Sequence, residues 1–148
     1  MGQVGPKRHT KSVGEYSEVV IAERLLKAGY NVLAPYGDSL RYDIVIEDAD
    51  GHFWRVQCKT AWLKKRGGNE IIKFATASNH YHYRGGRYNH ARRGYQGEVE
   101  YFAVYCPDLD KVYLIPIDHA GASDMTLRLT MPAGRNQYGV KMAEDYEL

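Results

Sequence analysis

The clearest chemical signal in the sequence comes from four polar side chains: Glu18, Asp43, Gln57 and Lys59. The two carboxylates offer hard oxygen donors, which suit Mg²⁺ or Mn²⁺ rather than a soft metal. The amide oxygen of Gln57 and the main-chain carbonyl of Cys58 would complete the shell of such a metal. A lysine beside the metal would orient or activate a water molecule and neutralise charge on an attacked phosphate. The chemistry indicated is metal-assisted attack on a phosphate.

The spacing alone is equally consistent with structural roles for the same residues. Asp43 would then cap a turn, Gln57 would bond to the main chain, and Lys59 would be an exposed strand residue. Both interpretations stay open until the elements that carry these residues are placed in a fold.

A predicted β-hairpin brings Asp43 close to Gln57 and Lys59. Residues 42–47 alternate and are rich in β-branched side chains, and residues 52–62 form a second predicted strand after a strong turn signal. Folding about that turn places Asp43 opposite residues 56–57, to within one residue of register. Gln57 and Lys59 share one face of their strand, so an acid, an amide and an amine converge on one side of the hairpin.

A helix is predicted over residues 14–28, and Gly29 follows it as a stop signal. At about 100° per residue, Glu18 falls inside the apolar arc of this helix, and so does Glu15. A carboxylate in a buried stripe needs a partner, because burying it unpaired costs several kcal/mol. The helix macrodipole favours an acid in the first turn and explains Glu15 without chemistry, but it explains Glu18 less well. The apolar positions of the arc are Val19, Ala22, Leu25 and Leu26.

The remaining patterns predict one α/β domain. A flexible basic N-terminus covers residues 1–13, and the domain covers residues 14–148, with no repeat and no linker. Residues 78–97 have neither a helical nor a strand period and are predicted to be a loop rich in Gly, Tyr and Arg. The other predicted strands cover residues 30–35, 71–75, 99–106, 111–117 and 127–129.

Basic charge is concentrated in the middle of the chain. The formal net charge is only +2, but residues 52–97 carry ten basic side chains and one acid, Glu70. A patch of this kind indicates a surface that binds a polyanion. The alternative is a solvated loop that happens to be basic.

Composition excludes several classes of protein. The 148 residues are 44% hydrophobic and 26% charged, which excludes a fibrous or wholly disordered chain. No apolar run approaches the ~20 residues that cross a bilayer, and the polar start of the chain lacks a secretory signal. The two cysteines, Cys58 and Cys106, are too few for a disulfide scaffold. We therefore expect a soluble cytoplasmic protein without a membrane partner.

Three segments resemble the motif of the PD-(D/E)xK nucleases, which have the restriction-endonuclease-like fold: Glu18, Tyr42–Val45 and Val56–Lys59. Within that superfamily, four further segments resemble the group I intron-associated, homing-type PD-(D/E)xK endonucleases: Gly37–Asp43, Arg55–Trp62, Phe102–Tyr105 and Ala143–Leu148. The resemblance extends from about Gly14 to the C-terminus.

The resemblance implies a mixed β-sheet flanked by helices and a metal-dependent endonuclease that hydrolyses phosphodiester bonds in DNA. It assigns the helix glutamate to Glu18, the strand aspartate to Asp43 and the motif lysine to Lys59. The implied cofactor is Mg²⁺, for which Mn²⁺ can substitute. Gln57 stands where most of the superfamily has Glu or Asp, although the intron-associated branch resembles this chain in using Gln. The missing carboxylate implies weaker metal binding rather than none.

The basic segment then has an expected partner, double-stranded or branched DNA. Lys64, Lys65 and Arg66 follow the motif lysine, where a nuclease meets the phosphate backbone. Further along, four arginines, interleaved with four tyrosines, would reach into a groove or clamp a strand. The arginines are Arg84, Arg87, Arg92 and Arg93, and the tyrosines are Tyr81, Tyr83, Tyr88 and Tyr95. Phosphate contacts would position the duplex, and arginines would read guanine edges. The alternative for each tyrosine is packing beneath a long loop.

Three functions stay open at this point. The first is a sequence-reading endonuclease that acts as a homodimer or homotetramer, because cutting both strands needs two active sites, and residues 99–117 are candidates for the association. The second is a Holliday-junction resolvase, whose motif set is similar and has the same spacing of eleven residues between glutamate and glycine. The third is a non-catalytic DNA-binding module on a decayed nuclease fold. Gln57 supports this third function, whereas the intact Glu18, Asp43 and Lys59 argue against it.

Overall fold

The computed structural model describes residues 10–134 and 138–148, which form one α-helix, ten β-strands and two short 3₁₀ turns. The helix and strands are α1 Thr10–Lys27, β1 Asn31–Leu33, β2 Ile44–Glu47, β3 Phe53–Thr60, β4 Trp62–Arg66, β5 Asn69–Ala75, β6 Ala77–Arg84, β7 Arg87–Gly94, β8 Tyr101–Cys106, β9 Lys111–Pro116 and β10 Asp124–Arg128. Residues 1–9 of the predicted flexible N-terminus lie outside the described residues. Residues 10–13 belong to α1, which therefore begins four residues earlier than the sequence predicts.

The predicted end of α1 at Gly29 is confirmed. The N–H of Gly29 donates to the carbonyl of Leu26 at 3.0 Å, and the N–H of Tyr30 donates to the carbonyl of Leu25 at 3.1 Å. This pair of bonds is a Schellman motif, which requires a left-handed residue just after the helix. Gly29 supplies it with a φ of +99°, a conformation that costs glycine no side-chain clash.

The predicted buried face of α1 is only partly correct. The buried residues are Ser17, Ile21 and Leu25, which share one face at a spacing of four, whereas Val19 and Leu26 are exposed. The difference arises because a polar residue occupies the buried stripe. The hydroxyl of Ser17 lies 2.6 Å from that of Thr60, so a tertiary hydrogen bond, not hydrophobicity, places it against the sheet.

The predicted hairpin of β2 and β3 is confirmed and lies in a five-stranded mixed sheet. The strand order is β1-β2-β3-β8-β9, with β3 and β8 parallel and the other neighbours antiparallel. Ile44 pairs with Val56, which places Asp43 beside Gln57 as the hairpin register predicts. The mixed-sheet α/β domain expected from the sequence is therefore confirmed. The expected flanking helices are not, because α1 is the one α-helix of residues 10–134 and 138–148.

Different elements cover the two faces of this sheet. On one face, Ile21 and Leu25 of α1 pack on a cluster that includes Val56 and Ala103. On the other face, a small sheet with the order β10-β5-β4 packs against β8 and β9. Its main aromatic contact joins Phe74 and Phe102 edge to face, with ring centroids 6.0 Å apart. Strand β8 thus runs between two cores, with Phe102 and Val104 in one and Ala103 and Tyr105 in the other.

Residues 78–97 are not the loop that the sequence predicts, because most of them form a long hairpin of β6 and β7. A two-residue turn at Gly85 and Gly86, with φ of +63° and +76°, joins the strands in the manner of a type I′ turn. Every residue from 80 to 94 is exposed, so neither face of the hairpin shows a hydrophobic period. The glycine pair between Tyr83 and Tyr88 is the local signal that predicts this hairpin.

Residues 99–117 form core strands, and the expectation that they provide an association surface is wrong. All but the first side chain of β8 are buried within the domain. The outer edge of β9 is covered by the C-terminal segment: Leu114 donates an N–H to the carbonyl of Tyr146 at 2.9 Å, and Leu148 donates one to the carbonyl of Val112 at 3.0 Å. The chain therefore pairs this edge with itself.

None of the helices in the described residues is long and apolar enough to cross a bilayer.

Two neighbouring leucines of α1 test the observed packing. Leu25 is fully buried and Leu26 is 58% exposed, so we expect Leu25→Ala to lower the free energy of unfolding by about 2–5 kcal/mol. The matched control, Leu26→Ala, should change it by less than about 1 kcal/mol. Urea denaturation followed by circular dichroism measures both values. Equal losses in the two variants would contradict the observed orientation of the helix.

Candidate active site

The five residues predicted to act in catalysis or metal binding all line one cleft. Glu18, Asp43, Gln57, Cys58 and Lys59 surround a space of about 300 Å³ between the first half of α1 and the adjoining ends of β2 and β3. The helix contributes one wall and the sheet contributes the other. The structure therefore brings together groups that are 41 positions apart in the chain, from 18 to 59.

Two hydrogen bonds to strand β3 hold Asp43 in the cleft. Its N–H donates to the carbonyl of Val56 at 3.0 Å, and its carboxylate accepts the N–H of Cys58 at 2.9 Å. Strand β2 begins only at Ile44, so no main-chain carbonyl of β2 faces the Cys58 N–H. The Asp43 side chain takes the place of that strand partner, which orients its carboxylate along the cleft wall.

Glu18 lies at the rim of the cleft rather than in the buried stripe. Its side chain is exposed, which corrects the expectation that it falls inside the apolar arc of α1. The neighbouring residue, Ser17, is 2% exposed and is bonded to Thr60 at the end of β3. This bond fixes the rotation of α1 on the sheet, and the next residue along the helix then faces the cleft.

The pKa values of the two carboxylates in the cleft, Glu18 and Asp43, are both raised. Desolvation raises the pKa of Glu18, and the charge of Asp43 and then that of Glu15 raise it further. Desolvation also raises the pKa of Asp43, although the hydrogen bond from Cys58 and the charge of Lys59 oppose the shift. Both groups therefore sit where their charged forms are disfavoured, an arrangement common at functional sites.

Cys58 presents different groups to the core and to the cleft. The residue is 8% exposed, and its thiol packs in the core between α1 and the five-stranded sheet, as the sequence predicts. Burial raises the pKa of the Cys58 thiol well above its usual value, and the nearby acids act in the same direction. The thiol is therefore protonated at neutral pH and is not a nucleophile. Because N–H and C=O of one strand residue point to the same side, its carbonyl faces the side on which Asp43 lies.

Lys59 contacts a tyrosine that the sequence places in the expected DNA-contact loop. The Nζ atom of Lys59 donates a hydrogen bond to the hydroxyl of Tyr95 at 3.2 Å. Tyr95 is only 4% exposed and packs edge to face on Phe102, with ring centroids 5.6 Å apart. The sequence leaves two roles open for Tyr95, contact with DNA and packing within the protein. The structure shows that Tyr95 packs within the protein. Tyr81, Tyr83 and Tyr88 are exposed on the hairpin.

The basic residues predicted to contact DNA fall into two groups. Those with exposed side chains on β4 or at the tip of the β6–β7 hairpin are Lys64, Lys65, Arg66, Arg84 and Arg87. The other two already have protein partners: Arg93 forms an ion pair with Glu98 at 2.6 Å, and Arg92 donates to the carbonyl of Ser123 at 3.0 Å.

A second cleft adjoins the first and contains residues that sequence reasoning missed. It also measures about 300 Å³, and the two clefts share Thr60 and Trp62 as walls. Lys64 and Arg92 line it together with Lys73, which forms an ion pair with Asp124 at 3.3 Å. Lys73 lies between the buried residues Ile72 and Phe74 of β5, so no local pattern marks it.

A separate acidic group lies at the turn between β2 and β3. Asp48, Asp50 and His52 have donor atoms within 4.8 Å of one another, the one such trio of His, Cys, Asp or Glu among residues 10–134 and 138–148. The Asp48 carboxylate accepts hydrogen bonds from the main chain of Asp50 and His52 and from the indole of Trp54. These bonds lower the pKa of Asp48 and account for the turn. The trio lies at the opposite end of β2 from Asp43.

Comparison with known proteins places the chain in a family. Residues 8–148 match the family model described as PD-(D/E)XK endonuclease. Among solved structures, the chain is similar to one titled as a bacterial homing endonuclease, I-Ssp6803I, at 28% sequence identity and a TM-score of 0.70. The similarity covers 95% of this chain and 89% of the other. No curated protein sequence matches. Because the family model spans nearly all of the chain, this protein belongs to the PD-(D/E)XK endonuclease family.

Proposed function

We propose that this protein is a divalent-metal-dependent DNA endonuclease that hydrolyses phosphodiester bonds. The observation that carries the proposal is the convergence of Glu18, Asp43, Gln57, Cys58 and Lys59 on one cleft. Membership of the endonuclease family supports it, as does the likeness to a bacterial homing endonuclease.

The donor atoms around the cleft suit Mg²⁺, with Mn²⁺ as a substitute. Glu18 and Asp43 would supply carboxylate oxygens, Gln57 its amide oxygen and Cys58 its main-chain carbonyl, all of them hard donors. The raised pKa values of both carboxylates support this assignment. A cation held by these two partly desolvated, mutually repelling acids would stabilise their charged forms.

The side chains of the cleft would have different roles in hydrolysis. A bound Mg²⁺ supplies Lewis-acid polarisation of the attacked phosphate. Glu18, Asp43 and Gln57 organise the metal and the water that attacks. The Lys59 ammonium neutralises negative charge that develops on the phosphate, and a low-dielectric cleft makes such a fixed charge more effective than it is in water.

The β6–β7 hairpin is proposed to read the DNA sequence, as expected of a homing-type enzyme. The major groove of B-DNA is about 12 Å wide and admits a two-stranded β-ribbon. The hairpin is such a ribbon, it is exposed from residue 80 to residue 94, and it carries Arg84 and Arg87 at its tip. Lys64, Lys65 and Arg66 would hold the phosphate backbone beside the cleft.

A homodimer or homotetramer is proposed as the cutting unit. The sequence carries the motif once, and a duplex has two strands, so cutting both of them in one encounter needs two copies of the chain.

Cleavage assays test the proposed role of Lys59. With Mg²⁺, we expect Lys59→Ala to cleave at least about 10²-fold more slowly than the wild type, since one fixed electrostatic contact is worth about that much. EDTA should abolish cleavage by both. Lys27→Ala, which removes the same charge from the far end of α1, should retain the wild-type rate. Suitable substrates are a plasmid pool with randomised inserts and a synthetic four-way junction.

Either of two results in this assay would contradict the proposal. Preferential cutting of the junction would indicate a resolvase. Binding of the pool without any Mg²⁺-dependent cutting would indicate a non-catalytic DNA-binding module.

Thermal unfolding tests the proposed metal ligand Glu18. Because its pKa is raised on folding, the folded state holds this proton more tightly, and stability falls as the pH rises through its titration. In metal-free buffer at pH 7, Glu18→Gln should therefore have a higher Tm than the wild type, and the difference should vanish in acid, below the ordinary pKa of a glutamate. Mg²⁺ should raise the Tm of the wild type more than that of Glu18→Gln. Glu23→Gln is the control on the same helix, and equal responses to Mg²⁺ in all three proteins would count against Glu18 as a ligand.

The salt dependence of DNA binding tests the hairpin. The plot of log K against log[salt] should flatten by about one unit in Arg84→Ala, and likewise in Arg87→Ala, if each side chain contacts a phosphate. Lys27→Ala should leave the slope unchanged. Fluorescence anisotropy on a labelled duplex measures the slopes and affinities, and identical slopes and affinities in all variants would place DNA elsewhere on the molecule.

A further inference from the structure

Two cations meet at the buried ring of Tyr95. The guanidinium carbon of Arg41 lies 4.1 Å from the ring centroid, and the ammonium nitrogen of Lys59 lies 4.8 Å from it. The Tyr95 hydroxyl accepts the hydrogen bond from Lys59 at 3.2 Å. Two like charges at one ring repel each other, so this arrangement needs compensation from elsewhere.

Arg41 has that compensation. Its guanidinium donates to the carboxylate of Glu98 at 2.8 Å, to the hydroxyl of Ser78 at 2.8 Å and to the carbonyl of Gly94 at 2.9 Å. These acceptors lie at or just beyond the base of the β6–β7 hairpin. Arg41 therefore fixes the hairpin base, and with it the ring of Tyr95, which directly follows β7.

Lys59 is held differently, because its hydrogen-bond partner is neutral. Within residues 10–134 and 138–148, no carboxylate lies within ion-pairing distance of its ammonium group. A carboxylate partner would hold the side chain but cancel its charge. A tyrosine hydroxyl and ring face hold an ammonium group and leave its full positive charge available to an anion.

We propose that Tyr95 is a positioning residue for Lys59 and holds its ammonium group at the cleft wall without neutralising it. At that wall, the charge of Lys59 acts on Asp43. The proposal rests on the proposed nuclease function for its catalytic consequence. Tyr95 acts through Lys59 and does not itself reach the phosphate. Its burial and its contact with Phe102 make it a rigid support.

The variant Tyr95→Phe tests the hydroxyl and keeps the ring. We expect the cleavage rate at saturating DNA to fall about tenfold, which matches the upper range for one lost hydrogen bond, while the DNA concentration at half-saturation changes by less than about twofold. Tyr105→Phe is the matched control. It is equally buried and loses a hydroxyl that bonds to Asp110 at 3.0 Å, away from Lys59, so it should retain the wild-type rate.

A second readout does not depend on cleavage. In protein labelled with ¹³C-lysine, relaxation of the Lys59 ε-methylene reports how well the ammonium group is held, and the signal is assigned by its absence from Lys59→Arg. We expect an ordered methylene in the wild type and in Tyr105→Phe, and a mobile one in Tyr95→Phe.

The two readouts separate the two hypotheses. An unchanged Lys59 signal in Tyr95→Phe, or an unchanged rate in an active enzyme, would overturn the positioning role. If the wild type cuts no DNA but Tyr95→Phe still makes the Lys59 side chain mobile, the nuclease function is overturned. The positioning of Lys59 by Tyr95 is supported in that case.

Discussion

The hydrogen bond from the Cys58 N–H to the Asp43 carboxylate joins the fold to the candidate active site. Strand β3 continues past the start of β2, and a buried N–H left without a partner there would cost about 1–3 kcal/mol. The carboxylate that satisfies it, at 2.9 Å, thereby stands in the cleft with a raised pKa. Glu18 depends on a comparable tie, since the bond between Ser17 and Thr60 sets the rotation of its helix. The site is thus built from groups that the sheet and the helix themselves require.

The segment before Asp43 also connects the cleft to the hairpin. Arg41 lies two residues upstream, and its guanidinium holds the base of β6 and β7 together with the ring of Tyr95. Tyr95 in turn holds Lys59. The β6–β7 hairpin, which suits a DNA groove, and Lys59, which suits a phosphate, are therefore both anchored through Arg41. The two rigid cores on either side of the main sheet give this arrangement a fixed frame.

Local chemistry specifies the parts of the protein that can be predicted from the amino-acid sequence. Turn residues and alternation predict the β2–β3 hairpin and its register, and Gly29 predicts the end of the helix, because each signal lies within a few residues of the feature that it specifies. The motif around Asp43 and Lys59 predicts the family and the fold for the same reason. The set of chemical groups at the site therefore follows from the order of the residues along the chain.

Contacts between distant segments decide which faces of the helix and strands are buried and which are exposed. Ser17 is buried because it bonds to a residue 43 positions away, and that contact shifts the buried face of α1 and leaves Glu18 at the cleft rim. The β6–β7 hairpin has no hydrophobic period because both of its faces meet solvent, so alternation cannot reveal it. Tyr95 is a core residue only because Arg41 and Phe102 enclose it. For Ser17 and Tyr95 the deciding contacts are tertiary, and a local pattern carries no record of such contacts.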